Sequence, residues 1–299
     1  AFITYTRQFN QPINQIANIA NIIQQTIAAA ERVFQLIDEE EEIPETPAGE
    51  ITSANGAVRF EHVQFGYDDT LLMKDLNIDV KPGQTVAIVG PTGAGKTTMI
   101  NLLMRFYEVN GGAIKLDNKD IESMSRHDIR AHFGMVLQDT WLFNGTIRDN
   151  IAYGKTNAAE TEVIQAAKAA EADQFIRMLP DGYDTILNED ASNISQGQKQ
   201  LLTIARAILA DPPIMILDEA TSSVDTRTEV YIQDAMNRIM KGRTSFVIAH
   251  RLSTIQDADN ILVMDQGDVI EQGTHSELLE KDGFYADLYN SQFADEQTG

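Results

Sequence analysis

Apolar and polar residues alternate through VRFEHVQFGY, from Val58 to Tyr67. A period of two sends successive side chains to opposite faces, so this spacing predicts a half-buried strand. Leu76–Val80 and Thr85–Gly90 read as further strands. The second of these, TVAIVG, is apolar and β-branched, the composition of a parallel strand covered on both faces. IMILD at Ile214–Asp218, TSFVIAH at Thr244–His250 and NILVMD at Asn260–Asp265 are of the same kind. Helical patterns fill much of 160–178 and 198–210, and another is predicted over Thr97–Phe106. Strands separated by helices predict an α/β fold with a largely parallel sheet. No internal repeat is apparent.

The longest helical pattern covers residues 2–37. Ile13, Ile16, Ala20, Ile23, Ile27 and Ala30 recur at steps of three or four, which places them on one face. The remaining positions are rich in Asn and Gln and poor in charge, whereas a solvated surface helix carries more Lys and Glu. Two readings stand: an amphipathic helix packed on its own domain, or the inner end of a helix that continues from a membrane or a bundle. The opening at Ala1-Phe2-Ile3 favours the second. No uninterrupted apolar run reaches about 18 residues, so no complete membrane span is expected. Asp38 to Glu42 is acidic and is followed by Pro44 and Pro47, a linker composition.

Composition narrows the classes. The chain has 299 residues, 43% of them hydrophobic, enough for a sizeable core and too many for a disordered chain. Its net charge of −22 opposes a nucleic-acid partner, which calls for a basic face. With no Cys, disulfides are impossible, which fits a cytosolic location.

Three motifs carry chemistry. GPTGAGKT, Gly90 to Thr97, matches G-x-x-x-x-G-K-[ST] between a predicted strand and a predicted helix. Gly90, Pro91, Thr92, Gly93, Ala94, Gly95, Lys96, Thr97 and Thr98 are therefore candidate ligands of a nucleoside triphosphate. Glycine lets the backbone wrap the phosphates with N–H groups inward, Lys96 can reach the β- and γ-phosphates, and the Thr97 hydroxyl can bind Mg²⁺. Next, IMILDEA ends a buried strand in two acids. Asp218 is placed to hold Mg²⁺, and Glu219 could orient or deprotonate an attacking water. Last, NISQGQKQ, Asn193 to Gln200, puts small polar residues and Gly197 at a predicted helix start, which offers open N–H groups and partial positive charge to an anion.

Taken together, these motifs resemble those of the ABC ATPase family, in the family's order, over residues 51–290. Gly90–Thr97 match its Walker A motif and Ile214–Glu219 its Walker B motif. Ile194–Gln198 match the signature, usually LSGGQ, with Ile at 194 and Gln196 in place of a glycine. Gln138, in MVLQD, matches the Q-loop; Ser222–Asp225 resemble the D-loop, although Asp225 also reads as a helix cap. His250, in IAHR, resembles the switch histidine, and Tyr67, in FGY, the aromatic that stacks on adenine. In LNEDASN, Glu189 fits the family's X-loop and Asp190 stands where Arg is common.

The resemblance implies a P-loop NTPase (RecA-like) core with a parallel sheet, an antiparallel β subdomain and an α-helical subdomain at about 140–208. It implies ATP and Mg²⁺ as cofactors, with Thr97, Gln138 and Asp218 at the metal and Glu219, His250 and Gln138 in catalysis. Ser195, Gly197 and Gln198 would cap the γ-phosphate held by a second nucleotide-binding domain, paired head to tail. Residues 1–38 resemble the end of an exporter's last membrane helix, with 39–50 an acidic linker and 291–299 a tail. The segment DTWLFNGTIRDNIAYG is also exporter-like, and exposed Trp141, Leu142 and Phe143 would suit the coupling helices of a transmembrane domain. The match is strongest to multidrug-type bacterial exporters, especially the subunit with the intact Walker B glutamate in heterodimeric pairs. An ATPase at the cytoplasmic face of the cell membrane is expected, exporting drugs or lipids. The alternatives are a peptide exporter, a soluble ABC ATPase without a transport role, an importer ATPase and a non-hydrolytic regulatory domain. His62, His127, His132 and His275 read as ordinary surface residues.

Overall fold

The computed structural model describes residues 2–39, 41, 54–138, 140–188, 191–218, 224–249 and 251–293. The chain divides into two compact units, Ala1–Pro44 and Glu45–Gly299.

The first unit is one helix, Phe2–Ile37. At 1.5 Å per residue its 36 residues extend about 54 Å. Pro12 lies inside it and removes one backbone donor. Ile13, Ile16, Ile23 and Ile27 are exposed, so the apolar stripe read from the sequence is there but is not covered. Among the described residues no helix is long and apolar enough to cross a membrane.

The second unit contains strands β1 (Val58–Phe65), β2 (Met73–Val80), β3 (Thr85–Val89), β4 (Gly111–Leu116), β5 (Lys119–Asp120), β6 (Phe133–Val136), β7 (Gly145–Thr146), β8 (Ile186–Leu187), β9 (Ile214–Asp218), β10 (Thr244–Ile248), β11 (Asn260–Asp265) and β12 (Asp268–Gly273). β2-β1-β4-β5 form an antiparallel sheet, and β7 pairs with β8. The central sheet has the order β12-β11-β3-β10-β9-β6, parallel except for the edge strand β12. This is the mixed α/β architecture expected.

Strand periodicity decides what each face of the central sheet covers. Ile214 and Ile216 of β9, with Phe246 and Ile248 of β10, join the core shared with the antiparallel sheet. Met215, Leu217 and Val247 point the other way, into a core with the helices of 147–240. Ala87 and Val89 of β3 pack on the C-terminal segment, including Tyr285. Both faces are thus buried, which is why these strands read as unbroken apolar runs.

Several sequence-derived bounds move. The pattern at 160–178 is two helices, Glu160–Ala169 and Asp173–Met178. Glu171 interrupts them with φ of 58°, a left-handed conformation that a continuous helix does not admit. The helix expected over Thr97–Phe106 runs from Lys96 to Leu103. Arg105, just beyond its end, also has a positive φ of 50°. The helix read at 198–210 starts earlier, spanning Gln196–Ala210, because Ser195 caps it.

Candidate nucleotide site

Strand register brings the phosphate loop and the acidic strand end together. Ile88 of β3 lies opposite Ile248 of β10, and Ile248 opposite Asp218 of β9. Val136 of β6 lies opposite Leu217. The carboxyl ends of four parallel strands therefore lie side by side, where parallel α/β sheets place ligands. A cavity of about 530 Å³ opens there. Tyr67, Thr92 to Thr98, Gln138, Asp218 and Ile248 line it.

The loop from Gly90 to Gly95 is shaped by backbone that only glycine adopts without strain. Gly95 has φ of 100° and caps the P-loop helix, Lys96–Leu103, without any side-chain cap. Its own side chain would meet Gly267 Cα at 3.1 Å. At Gly90 a Cβ would stand 2.2 Å from the Met264 carbonyl oxygen. The result is a helix start whose first N–H groups are left to a ligand by the chain's own side chains.

Lys96 is half-buried, and its Nζ donates to the carbonyls of Gly90 at 2.7 Å and Pro91 at 3.0 Å. An ammonium has three donors, so one remains for a phosphate oxygen. Burial lowers the pKa of Lys96, and the charge of Asp218 opposes that shift. On the cavity's other side the Tyr67 hydroxyl shares a hydrogen bond of 3.1 Å with Thr98 Oγ1. Phe65 and Tyr107 meet the Tyr67 ring edge-on, at centroid distances of 5.0 and 5.1 Å. Tyr67 itself remains about half exposed, at 52%, so part of its ring stays open to stacking.

The donors around the cavity suit a hard divalent cation. The Thr97 hydroxyl, the Gln138 amide oxygen and the Asp218 carboxylate are all oxygen donors, and Mg²⁺ takes few protein ligands beside substrate phosphates. Among the described residues no cluster of three or more His, Cys, Asp or Glu side chains is present. Glu219 and His250 lie outside the described residues, as do Ser222, Ser223, Glu189 and Asp190.

The signature residues do not line this cavity. Ser195 is the N-cap of the signature helix, Gln196–Ala210, in a closed capping box. Its Oγ accepts from Gln198 N at 3.2 Å, and Gln198 Oε1 accepts from Ser195 N at 2.9 Å. Gly197 is buried, and a Cβ there would stand 2.4 Å from Thr228 Cγ2 and 2.8 Å from Val224 Cγ1. The close approach that requires this glycine is thus to the helix Thr226–Met240 within the same chain. Asp225 caps that helix through Thr228 N.

A second and larger cavity, about 770 Å³, lies elsewhere. Arg130, Thr140, Trp141, Tyr153, Arg206 and Pro212 are among its lining. Trp141 is exposed, at 60%, but Leu142 is buried at 5% and belongs to the helical core, contrary to its expected exposure. Trp141 and Leu142, neighbours in the chain, face the groove and the helical core respectively. Phe143 is partly buried and packs on Tyr153. Arg206 was not anticipated as a keystone of this groove. It donates to the carbonyls of Asn150 and Trp141 and to Asn150 Oδ1, and its guanidinium lies over Tyr153 and Trp141. Fully buried Asn150 in turn holds the carbonyls of Phe143 and Thr146. The one sequence signal was an Arg set inside the apolar run LLTIARAILA. Of the histidines, His62 is exposed beside Asp75 at 2.8 Å, while His275 is partly buried against the Tyr285 hydroxyl at 2.7 Å.

Comparison with known proteins agrees with this geometry. The family model described as ABC transporter matches residues 73–222. A fatty acid ABC transporter ATP-binding/permease protein of Mycobacterium bovis is 56% identical over 286 residues, 95% of this chain and 45% of that protein. An ATP-dependent lipid A-core flippase of Syntrophus aciditrophicus is 44% identical over 300 residues, 100% of this chain and 50% of that protein. The solved structure of a bacterial Atm1-family ABC exporter with ATP bound superposes with a TM-score of 0.79 at 43% identity, covering 97% of this chain and 51% of that one. The chain spans about half the length of the relatives it matches. With the phosphate loop, the strand-end aspartate and the aromatic lining one cavity, the chain belongs to the ABC transporter family.

Proposed function

We propose that this chain binds and hydrolyses ATP to drive an exporter of lipids or of other lipophilic compounds. The observation that carries the reading is the joint lining of one cavity by Lys96, Thr97, Gln138, Asp218 and Tyr67. Adenine stacks on Tyr67, and the phosphates occupy the open amides at Gly93 to Lys96. Thr97, Gln138 and Asp218 would hold magnesium, which would supply charge neutralisation at the phosphate oxygens. Glu219, directly after Asp218, orients the water that attacks the γ-phosphate, assisted by Gln138 and His250. Lys96 stabilises the charge that spreads over the γ-phosphoryl oxygens.

Ser195, Gly197 and Gln198 act on the nucleotide of a second such domain, paired head to tail. Their position away from this chain's own cavity supports that reading. Residues 1–38 form the end of a membrane-domain helix, 39–50 a linker and 51–290 the ATPase domain, at the cytoplasmic face of a membrane. The Trp141–Arg206 groove receives coupling helices of the transmembrane domain. The lipid assignment leans on the relatives named for fatty acids and for lipid A-core. A peptide exporter is the alternative, and transport in vesicles of the full-length transporter distinguishes the two.

The decisive experiment is phosphate release with and without Glu219→Gln. The variant is expected to bind ATP as tightly as the wild type and to lose turnover by roughly 100-fold or more, the scale set by general acid–base catalysis. Unchanged turnover would remove Glu219 from the mechanism.

A further inference from the structure

The residue that departs from the signature's usual glycine is not idle. Gln196 is the first residue of the signature helix. Its Nε2 donates to Thr140 Oγ1 at 3.2 Å, across 56 positions of sequence. A glycine at 196 has no side chain to make this bond. Thr140 stands at a junction: Gln138, two residues before it, lines the nucleotide cavity, whereas Thr140 and Trp141 line the groove.

The same helix holds this segment a second time. Arg206 donates from Nη1 to the Trp141 carbonyl at 3.1 Å and lies over the Trp141 ring at 5.9 Å. Residues 196 and 206 are ten apart, about 15 Å along a helix axis. Two long side chains therefore converge on adjacent residues from opposite ends of one rigid rod. Held at both points, the 140–141 segment moves with the helix. Held only by Arg206, it is free to turn at its Thr140 end, nearest the nucleotide cavity.

We propose that Gln196 is a positioning residue which, through Thr140, couples the start of the signature helix to the segment joining the nucleotide cavity and the groove. Nucleotide in the cavity displaces Gln138, Thr140 follows, and the bond passes that displacement to the helix start that carries Ser195. This coupling rests on the ATP-binding reading above.

Trp141 is the chain's single tryptophan, so its emission reports on this segment directly. The test titrates the chain with magnesium and a non-hydrolysable ATP analogue, reading heat of binding and Trp141 emission in parallel. Wild type, Gln196→Gly, Thr140→Val, the double variant and Thr140→Ser are compared. All five are expected to bind nucleotide with similar affinity. The emission change at saturation is largely lost in Gln196→Gly and in Thr140→Val. The double variant falls no further, and Thr140→Ser, which keeps the hydroxyl, retains the wild-type response. A merely local packing role for either residue predicts additive losses instead. Binding heat without any wild-type emission change, a full response in Gln196→Gly, or additive single effects would each overturn the coupling. Absence of binding heat in the wild type would instead overturn the ATP-binding reading, and the coupling with it.

Discussion

Two helix starts in this molecule face the same chemical problem and solve it differently. The P-loop helix begins at Gly95, whose backbone is left-handed and which brings no side-chain cap. Its first amides wait for an anion. The signature helix begins at Ser195, in a closed capping box with Gln198. Its first amides are partly satisfied by its own residues, and the Ser195 hydroxyl keeps its hydrogen to donate outward. The first start is completed by a ligand in its own cavity. The second is complete as a helix before any nucleotide arrives, as its proposed role at the nucleotide of a second domain requires.

The sharpest way to break this comparison is at the ligand-dependent start. Lys96→Ala removes the one cation among the described residues that line the cavity and is expected to weaken ATP binding roughly 100-fold, the equivalent of about 3 kcal/mol for a charge-assisted contact. Competition with a fluorescent ATP analogue measures it. The same substitution leaves the signature helix unaffected, so far-ultraviolet circular dichroism should not change.

Gly95→Ala comes next. Holding an L-residue at φ of 100° costs about 1–3 kcal/mol, and its Cβ presses on Gly267. The thermal midpoint should fall by several degrees, at about 2–4 °C per kcal/mol, and nucleotide should restore less of it than in the wild type.

The smallest and most discriminating effect lies at Ser195. Ser195→Ala loses the cap, about 1 kcal/mol, and should lower the midpoint by about 2–4 °C. Ser195→Asn keeps a capping acceptor, so its midpoint should match the wild type. It no longer offers a hydroxyl, so ATP-driven association of two chains, followed by sedimentation, should weaken in both variants. Association preserved in Ser195→Asn would make the cap the residue's only role.

The contrast also explains what could be read from the sequence. The phosphate loop and the strand-end aspartate were legible because their chemistry is local: a loop between a buried strand and a helix must stand at the carboxyl edge of the sheet. Asp225 as a helix cap was legible for the same reason. The groove was not. Arg206 and Asn150 are 56 positions apart, and an arginine inside an apolar run gives no hint of the carbonyls it will hold. Leu142 was misread because exposure was assigned to the whole Trp141–Phe143 segment, although neighbouring side chains point apart. The packing that requires glycine at 197 was equally hidden, because it is set by Thr228 and Val224, some thirty positions away in the same chain. The break at Glu171 was missed because apolar periodicity survives a single left-handed residue.

A nucleotide bound in the cavity between Tyr67 and Lys96 is the centre of the proposed function. The most direct test is isothermal titration of this chain with magnesium and ATP, beside Lys96→Ala. One ATP per chain, with binding weakened roughly 100-fold in the variant, is the predicted result. Binding that persists unchanged in Lys96→Ala, or no binding in the wild type, would contradict it.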